Sequence, residues 1–169
     1  MTAEPTGVLV RQATSADVPA MAEIRVGDAE VGPADTRMAA YLDGVHHPQR
    51  ALKPRVAFLA EVSGTIFGYI AGHLTDRFGC DAEVQYLYVA PPFRRAGVAG
   101  TLLRHLAAWF VKRGAVFVCV DVNSDSASAE PFYSSLGATW LRPSWMAWQD
   151  IRAMLAVDRG DSLDSGRAL

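Results

Sequence analysis

The chain has 169 residues, half of them hydrophobic and a fifth charged, a balance that fits one globular domain. Sixteen basic against eighteen acidic side chains leave a formal charge of −2, so no global positive field exists to hold nucleic acid. The two cysteines, Cys80 and Cys119, have no metal-ligand spacing and fit buried thiols in a reducing compartment better than a disulfide framework. The polar start, Met1 to Gly7, has no basic patch followed by an apolar core. No apolar run approaches the ~18 residues of a membrane span. The expectation is a cytoplasmic protein with no membrane partner.

In chain order, Val8–Gln12 reads as a short strand. Thr14 or Ser15 caps the helix that follows, with Asp17 in its first turn. Val18, Met21, Ile24 and Arg25 recur at helical spacing, and Pro19 is tolerated among first-turn amides that lack intrahelical partners. Gly32-Pro33 breaks the chain before a second helix, Ala34–Leu42. His46–Pro54, polar and with two prolines, reads as a loop. Arg55–Val62 and Ile66–Leu74 form a hairpin around Ser63-Gly64. Thr75–Cys80 is a further turn, and Glu83–Val89, rich in Val, Tyr and Leu, is a buried strand ended by Ala90-Pro91-Pro92.

Gly97–Arg113 carries the clearest helical pattern. Val98, Leu102, Leu103, Leu106, Trp109 and Phe110 share one face, Lys112 and Arg113 suit the C-terminal dipole, and Gly114 closes the helix. Val116–Val122 is a continuous apolar run, as in a strand covered on both faces. Ser128 caps a helix over Ala129–Leu136 that ends at Gly137. Ala138–Leu141 and Trp145–Gln149 are the last strands. The segment after Asp158 is polar and reads as a flexible tail, so the expected domain is 1–158 and the tail 159–169. The order β-α-α-β-β-β-α-β-α-β-β predicts an α/β (α+β) domain around one mixed central sheet flanked by helices.

The unit of strand 83–89, turn and helix from Gly97 carries the chemistry. Free amides at a helix start bear partial positive charge and form an anion site. Gly97, Ala99 and Gly100 remove bulk there. Arg94 and Arg95 oppose the helix dipole, a placement that makes sense with an anion between them. The alternative is a solvated Arg-Arg turn ahead of an ordinary helix.

Arg94-x-x-Gly97-x-Ala99 resembles the Arg/Gln-x-x-Gly-x-Gly/Ala motif of the GNAT (GCN5-related N-acetyltransferase) superfamily. Val84-Gln85-Tyr86-Leu87-Tyr88-Val89-Ala90-Pro91 resembles the strand before that motif. Ala129-Glu130-Pro131-Phe132-Tyr133-Ser134-Ser135-Leu136-Gly137-Ala138 resembles the family's A-x-x-F-Y-x-x-L-G-F segment, with Ala138 in place of the usual aromatic. The motifs span about Glu83 to Ala138; the first half matches in coarse pattern alone.

The resemblance implies an acyl-CoA-dependent N-acyltransferase that moves an acyl group, acetyl above all, directly to a primary amine. It implies a V-shaped opening between strands 83–89 and 116–122. The amides of Ala96, Gly97, Val98, Ala99 and Gly100, with Arg94 and Arg95, would hold the pyrophosphate. Backbone of Leu87 and Val89 would line the pantetheine, the Val89 amide would polarise the thioester carbonyl, and Asn123 would add a polar contact. Tyr133 matches the general acid; the same tyrosine suits a helix aromatic packed in the core. Glu83 stands where some members keep a general base; it equally suits a solvated strand end, with a water chain as the base instead.

His46, His47 and His73 are weaker candidates, and no cluster has metal spacing, so no metal is expected. Trp109, Trp140, Trp145 and Trp148 suit packing; the last three also suit an acceptor pocket or a dimer contact. Asp28, Glu30, Asp35 and Asp43 lie where the family selects its acceptor, which suits either a cationic acceptor or a solvated acidic surface. A homodimer is the family's habit.

Two rivals remain. Asp121, about 20 residues past the glycines, imitates a dinucleotide-binding unit, although Gly97-x-Ala99-Gly100 is not Gly-x-Gly-x-x-Gly. A non-catalytic CoA-binding sensor or interaction module would share the fold.

Overall fold

The computed structural model describes residues 5–26, 34–45, 50–122 and 129–156. Along the chain it runs β1 (Leu9–Gln12), α1 (Val18–Val26), α2 (Ala34–Leu42), β2 (Ala51–Val62), β3 (Thr65–Thr75), β4 (Ala82–Val89), α3 (Val98–Lys112), β5 (Val118–Asp121), α4 (Ala129–Ser135), β6 (Thr139–Arg142), β7 (Trp145–Trp148) and α5 (Ala153–Ala156). The element order read from the sequence is recovered, with α5 added. The strands form one seven-stranded sheet in the order β1-β2-β3-β4-β5-β7-β6. Every neighbouring pair is antiparallel except β4 and β5. A doubly wound dinucleotide fold needs successive parallel strands, so that rival falls.

Two layers cover the sheet. On one face α3 buries Leu102, Leu103, Leu106 and Phe110 against Val56, Ile70 and Val84, with Tyr133 of α4 and Trp148 of β7 in the same core. On the other face, Met21 of α1 and Met38 and Tyr41 of α2 meet Leu59, Tyr69 and Ala71. Gly72 lets α3 sit close. A Cβ there would come within 2.7 Å of the Phe110 ring and 2.9 Å of the Glu83 carbonyl oxygen. Cys80 and Cys119 are both buried and free, as expected.

Three local expectations need correction. Ala51–Pro54 is strand rather than loop, pairing Ala51 with Thr75 and Leu52 with Leu74. The ladder skips between Leu52 and Arg55, so Pro54 falls where no ladder bond is asked of its missing N–H. β5 is shorter than Val116–Val122. The amides of Val116 and Phe117 donate instead to the Asp81 carboxylate, at 2.9 Å each, and the Val122 amide to the Ser144 carbonyl at 2.8 Å. The last turn, α5, was not foreseen; its four residues are too few for a periodic signal, and Met154 is buried in the α3 core. The loop from His46, Asn123, the Ser128 cap and the tail from residue 159 lie outside the described residues.

The first helix entrance is set by Asp17. Its carboxylate accepts from the Thr14 amide at 2.8 Å and from both terminal nitrogens of Arg11, at 2.9 and 2.8 Å. The Arg11 hydrogen bonds hold the Asp17 acid down at about 2, against an ordinary 3.8. Because the folded value is depressed, this stabilisation is complete above the ordinary value and disappears as pH falls through the folded one. Asp17→Asn can still accept from the Thr14 amide but loses the charge that pairs with Arg11, so it is expected to lower the melting temperature modestly at pH 7. The gap between wild type and variant should close between pH 3.8 and about 2 in a thermal melt series.

Candidate active site

β4 breaks its own alternation. Tyr86 pairs with Ala71 but Val84 pairs with Gly72, leaving Gln85 as a bulge. Before it, Ala82 and Val84 face α3 and Glu83 faces the other way. Beyond it, Leu87 and Val89 face α3, while Tyr86 and Tyr88 face α1 and α2. A regular strand would have put Leu87 and Val89 on the opposite face.

The hydrogen-bond register tells where the amides point. The Ala90 amide donates to the Phe67 carbonyl at 2.8 Å, closing a hydrogen-bonded pair. Antiparallel pairs alternate, so Tyr88 and Tyr86 bond to β3 while the amides of Leu87 and Val89 point away from it, toward the β5 side. There β5 does not follow. The parallel ladder holds only Ala82, Val84 and Glu83 between them, against Val118–Val120, before the strands part. Residues Gln85–Tyr88 are only half-buried in mid-sheet, which marks the opening. The carbonyl of Val89 is taken by Arg94 Nε at 2.7 Å.

Next to this opening stands the start of α3. Gly97 caps it at φ 84° and, as glycine, brings no side chain to its amides. The first helical bond is from the Thr101 amide to the Gly97 carbonyl, 3.1 Å, so the amides of Val98, Ala99 and Gly100 precede the ladder. A Cβ on Gly97 would meet no protein atom within 4 Å. Arg95 adopts φ 62°, and Arg94 lies 5.3 Å over the Tyr88 ring. Leu87, Val89, Arg94, Arg95, Ala96, Gly97, Val98, Ala99 and Gly100 therefore occupy one continuous strand-turn-helix start; Asn123 lies outside the described residues.

Glu83 is no solvated strand end: it is 3% exposed. Its Oε2 accepts from Arg77 Nε at 3.0 Å and lies 3.5 Å from His73 Nε2. Tyr133 is buried too, edge-on to the Trp148 ring at 5.7 Å. Burial pushes its hydroxyl up to about 12, so it stays protonated at neutral pH. The two residues sit on opposite faces of the sheet, Tyr133 in the α3 core and Glu83 opposite.

Sequence reasoning ranked His73 low and passed over Tyr41, Arg77 and Phe78. Register was the available signal: a hairpin closed by the Thr75 amide on the Asp81 carbonyl sets His73 opposite Glu83. Of the four tryptophans, Trp109 and Trp148 are core. Trp145 meets Phe78 edge-on at 5.2 Å and lies under Arg77 at 4.8 Å, and Trp140 is exposed beside Arg142 and Pro143. Among the described residues no group of histidine, cysteine and acidic side chains could hold a metal. No described helix is long and apolar enough to cross a membrane.

A mixed α/β sheet whose one parallel pair parts beside an uncapped, arginine-flanked helix start is the architecture that the motif resemblance implied. The model of the Acetyltransferase (GNAT) family matches residues 19–138, and the chain belongs to that family. No curated protein matches the sequence. Solved structures share the fold at low identity. The ribosomal-protein-S18-alanine N-acetyltransferase of Escherichia coli superposes with a TM-score of 0.64 at 19% identity, covering 83% of this chain and 92% of its own. The PaiA N-acetyltransferase of Thermoplasma acidophilum, in complex with coenzyme A, gives 0.61 at 14% identity over 84% of this chain and 97% of its own. The GNAT family N-acetyltransferase YhbS of Escherichia coli, in complex with CoA, gives 0.63 at 17% identity over 91% and 88%.

The open space at Gly97 yields a test. Valine there would be strained by the positive φ, so it would confound binding with folding. Asparagine tolerates the left-handed region. Gly97→Asn is expected to keep the melting temperature within a few degrees and to weaken CoA binding by at least ~10-fold in calorimetry, equivalent to about 1.4 kcal/mol. Arg94→Ala should weaken it less, since the backbone amides remain.

Proposed function

We propose that this member of the family is an acyl-CoA-dependent N-acyltransferase that moves an acetyl group directly from acetyl-CoA to a primary amine. The observation that carries this is the pair of outward amides, Leu87 and Val89, in line with the uncapped start of α3. Acyl-CoA is long and anionic at one end, and it needs both. The amides of Ala96 to Gly100, with Arg95, hold the pyrophosphate. Arg94 stiffens the strand end through the Val89 carbonyl and adds its charge. Leu87 and Val89 backbone runs along the pantetheine. The Val89 amide points where negative charge grows on the thioester oxygen, and a fixed donor there lowers the barrier.

Glu83 takes the proton that frees the acceptor amine. The nitrogen–carbon bond forms and the carbon–sulfur bond breaks. Tyr133, kept protonated by its burial, gives its proton to the departing sulfur. The second proton that the nitrogen sheds on becoming an amide restores the tyrosine through solvent, so the products are an amide and free CoA.

A non-catalytic CoA-binding module gains nothing from the buried placement of Glu83 against Arg77 and His73. Two substitutions separate the cases. Tyr133→Phe keeps the ring and its packing, and Glu83→Gln keeps the shape. Each is expected to lower turnover by ~10²–10⁴-fold in a CoA-release assay with a panel of polyamines, aminoglycosides and lysine peptides. Acetyl-CoA affinity, measured separately, should stay near wild type. Turnover within about threefold of wild type in Tyr133→Phe would lie far below the loss expected of a general acid and would make that side chain a packing residue.

A further inference from the structure

A row of partnered residues crosses the sheet on the Glu83 face. Arg55 of β2 stands opposite His73 of β3, His73 opposite Glu83, and Glu83 in parallel register with Cys119 of β5, which faces Ala147 of β7. Directly paired residues project to the same face. His73 is fully buried and Glu83 nearly so, a costly arrangement for two ionisable groups unless each is fixed by a partner.

The partners fix the hydrogens. His73 Nδ1 lies 2.8 Å from the hydroxyl of Tyr41, itself fully buried on α2. Burial pushes that hydroxyl up, so it carries its hydrogen throughout the working range. If it accepted from Nδ1–H, its own hydrogen would be buried without an acceptor among the described residues. If it donates, Nδ1 is bare and the ring hydrogen sits on Nε2, aimed at Glu83 Oε2 at 3.5 Å. That gap is longer than a formed hydrogen bond, and among the described residues His73 Nε2 has no other partner. Arg77 Nε occupies the same Oε2 at 3.0 Å. Both contacts thus fall on one carboxylate oxygen.

Resting on the assignment of Glu83 as the base, we infer that His73 is a positioning residue. Held as the Nε2–H tautomer by Tyr41, it keeps Oε2 engaged and turns Oε1 to the acceptor nitrogen. The other titratable or charged groups facing this pair are Arg77 from the β3–β4 turn, Arg55 from β2, which bonds the Tyr41 carbonyl at 2.8 Å, Tyr86 from β4, whose ring meets Tyr41 at 5.5 Å, and the Cys80–Cys119 thiols. Arg77 already supplies the positive charge.

The experiment has two arms. The first needs no acceptor: nitrogen-15 NMR of histidine-labelled protein, with the His73 signals assigned by their absence in His73→Gln. The expected spectrum, read on the neutral ring at about pH 9, shows a bare Nδ1 and a protonated Nε2, drifting to a mixture in Tyr41→Phe. A protonated Nδ1 in wild type would overturn the proposal. The second arm measures turnover with the most active amine of the panel. Tyr41→Phe and His73→Leu should lower turnover near pH 7 by ~10-fold, with unchanged acetyl-CoA KM. His73→Gln, which can still donate to Oε2, should recover part of that loss. Wild-type turnover in folded Tyr41→Phe, in an enzyme that Glu83→Gln inactivates, would sink the role of His73 while sparing that of Glu83. An active Glu83→Gln would remove the base assignment, and this inference with it.

Discussion

Everything at this site depends on one extra residue in β4. The bulge at Gln85 resets the pleat, so that Glu83 and Leu87, four apart, look to opposite faces of the sheet. In a regular strand they would share a face. The reset places the carboxylate on the side of α1 and α2 and gives the α3 side the strand end. It also falls where β5 stops pairing, so the amides that the bulge turns outward meet no strand. Under the proposed function a two-sided site follows: a cofactor channel that reaches the start of α3, and a buried row around Glu83 on the other face.

Packing protects this geometry from collapse. An open pair in mid-sheet would tend to close, because unpaired amides are costly when buried. Here the strands are held apart by what anchors their ends. Asp81 clasps the Val116 and Phe117 amides and fixes where β5 begins. Gly72 lets Phe110 and Leu106 press α3 onto β3 and β4, and the Arg94 bond to the Val89 carbonyl ties the strand end to the turn. The same turn leaves α3 without a side-chain cap, which is unfavourable for the helix alone and intelligible once an anion completes it.

Much of this was legible in the sequence, and the reasons differ by element. Fifteen residues of α3 carry a strong periodic stripe, and Gly97 and Gly114 bracket it, so its position followed from local chemistry. The Ser63-Gly64 turn, with both residues at positive φ, fixed the β2–β3 hairpin. Pro54 misled because a proline tolerated at a ladder skip looks like one that ends a strand. The burial of Glu83 was not legible either: a carboxylate in an apolar strand reads as an edge until its neighbours are known, and Arg77 and His73 come from a turn and a strand that only register brings together. The bulge leaves no mark in composition, since Gln85 is an ordinary strand residue. The motif around Gly97 marked the turn and the helix start that the structure describes, whereas the residues around Glu83 come from scattered elements and had no motif to announce them.

The account's central claim is that the Leu87 and Val89 amides line a cofactor channel continuous with the start of α3. Amide-resolved NMR titration of the protein with CoA tests it most directly. The account predicts that the amides of Leu87, Val89, Val98, Ala99 and Gly100 shift together along one binding curve. Those of Tyr86 and Tyr88, bonded to β3, should move little. Shifts confined to the helix start, or equal along all of Tyr86–Val89, would contradict it.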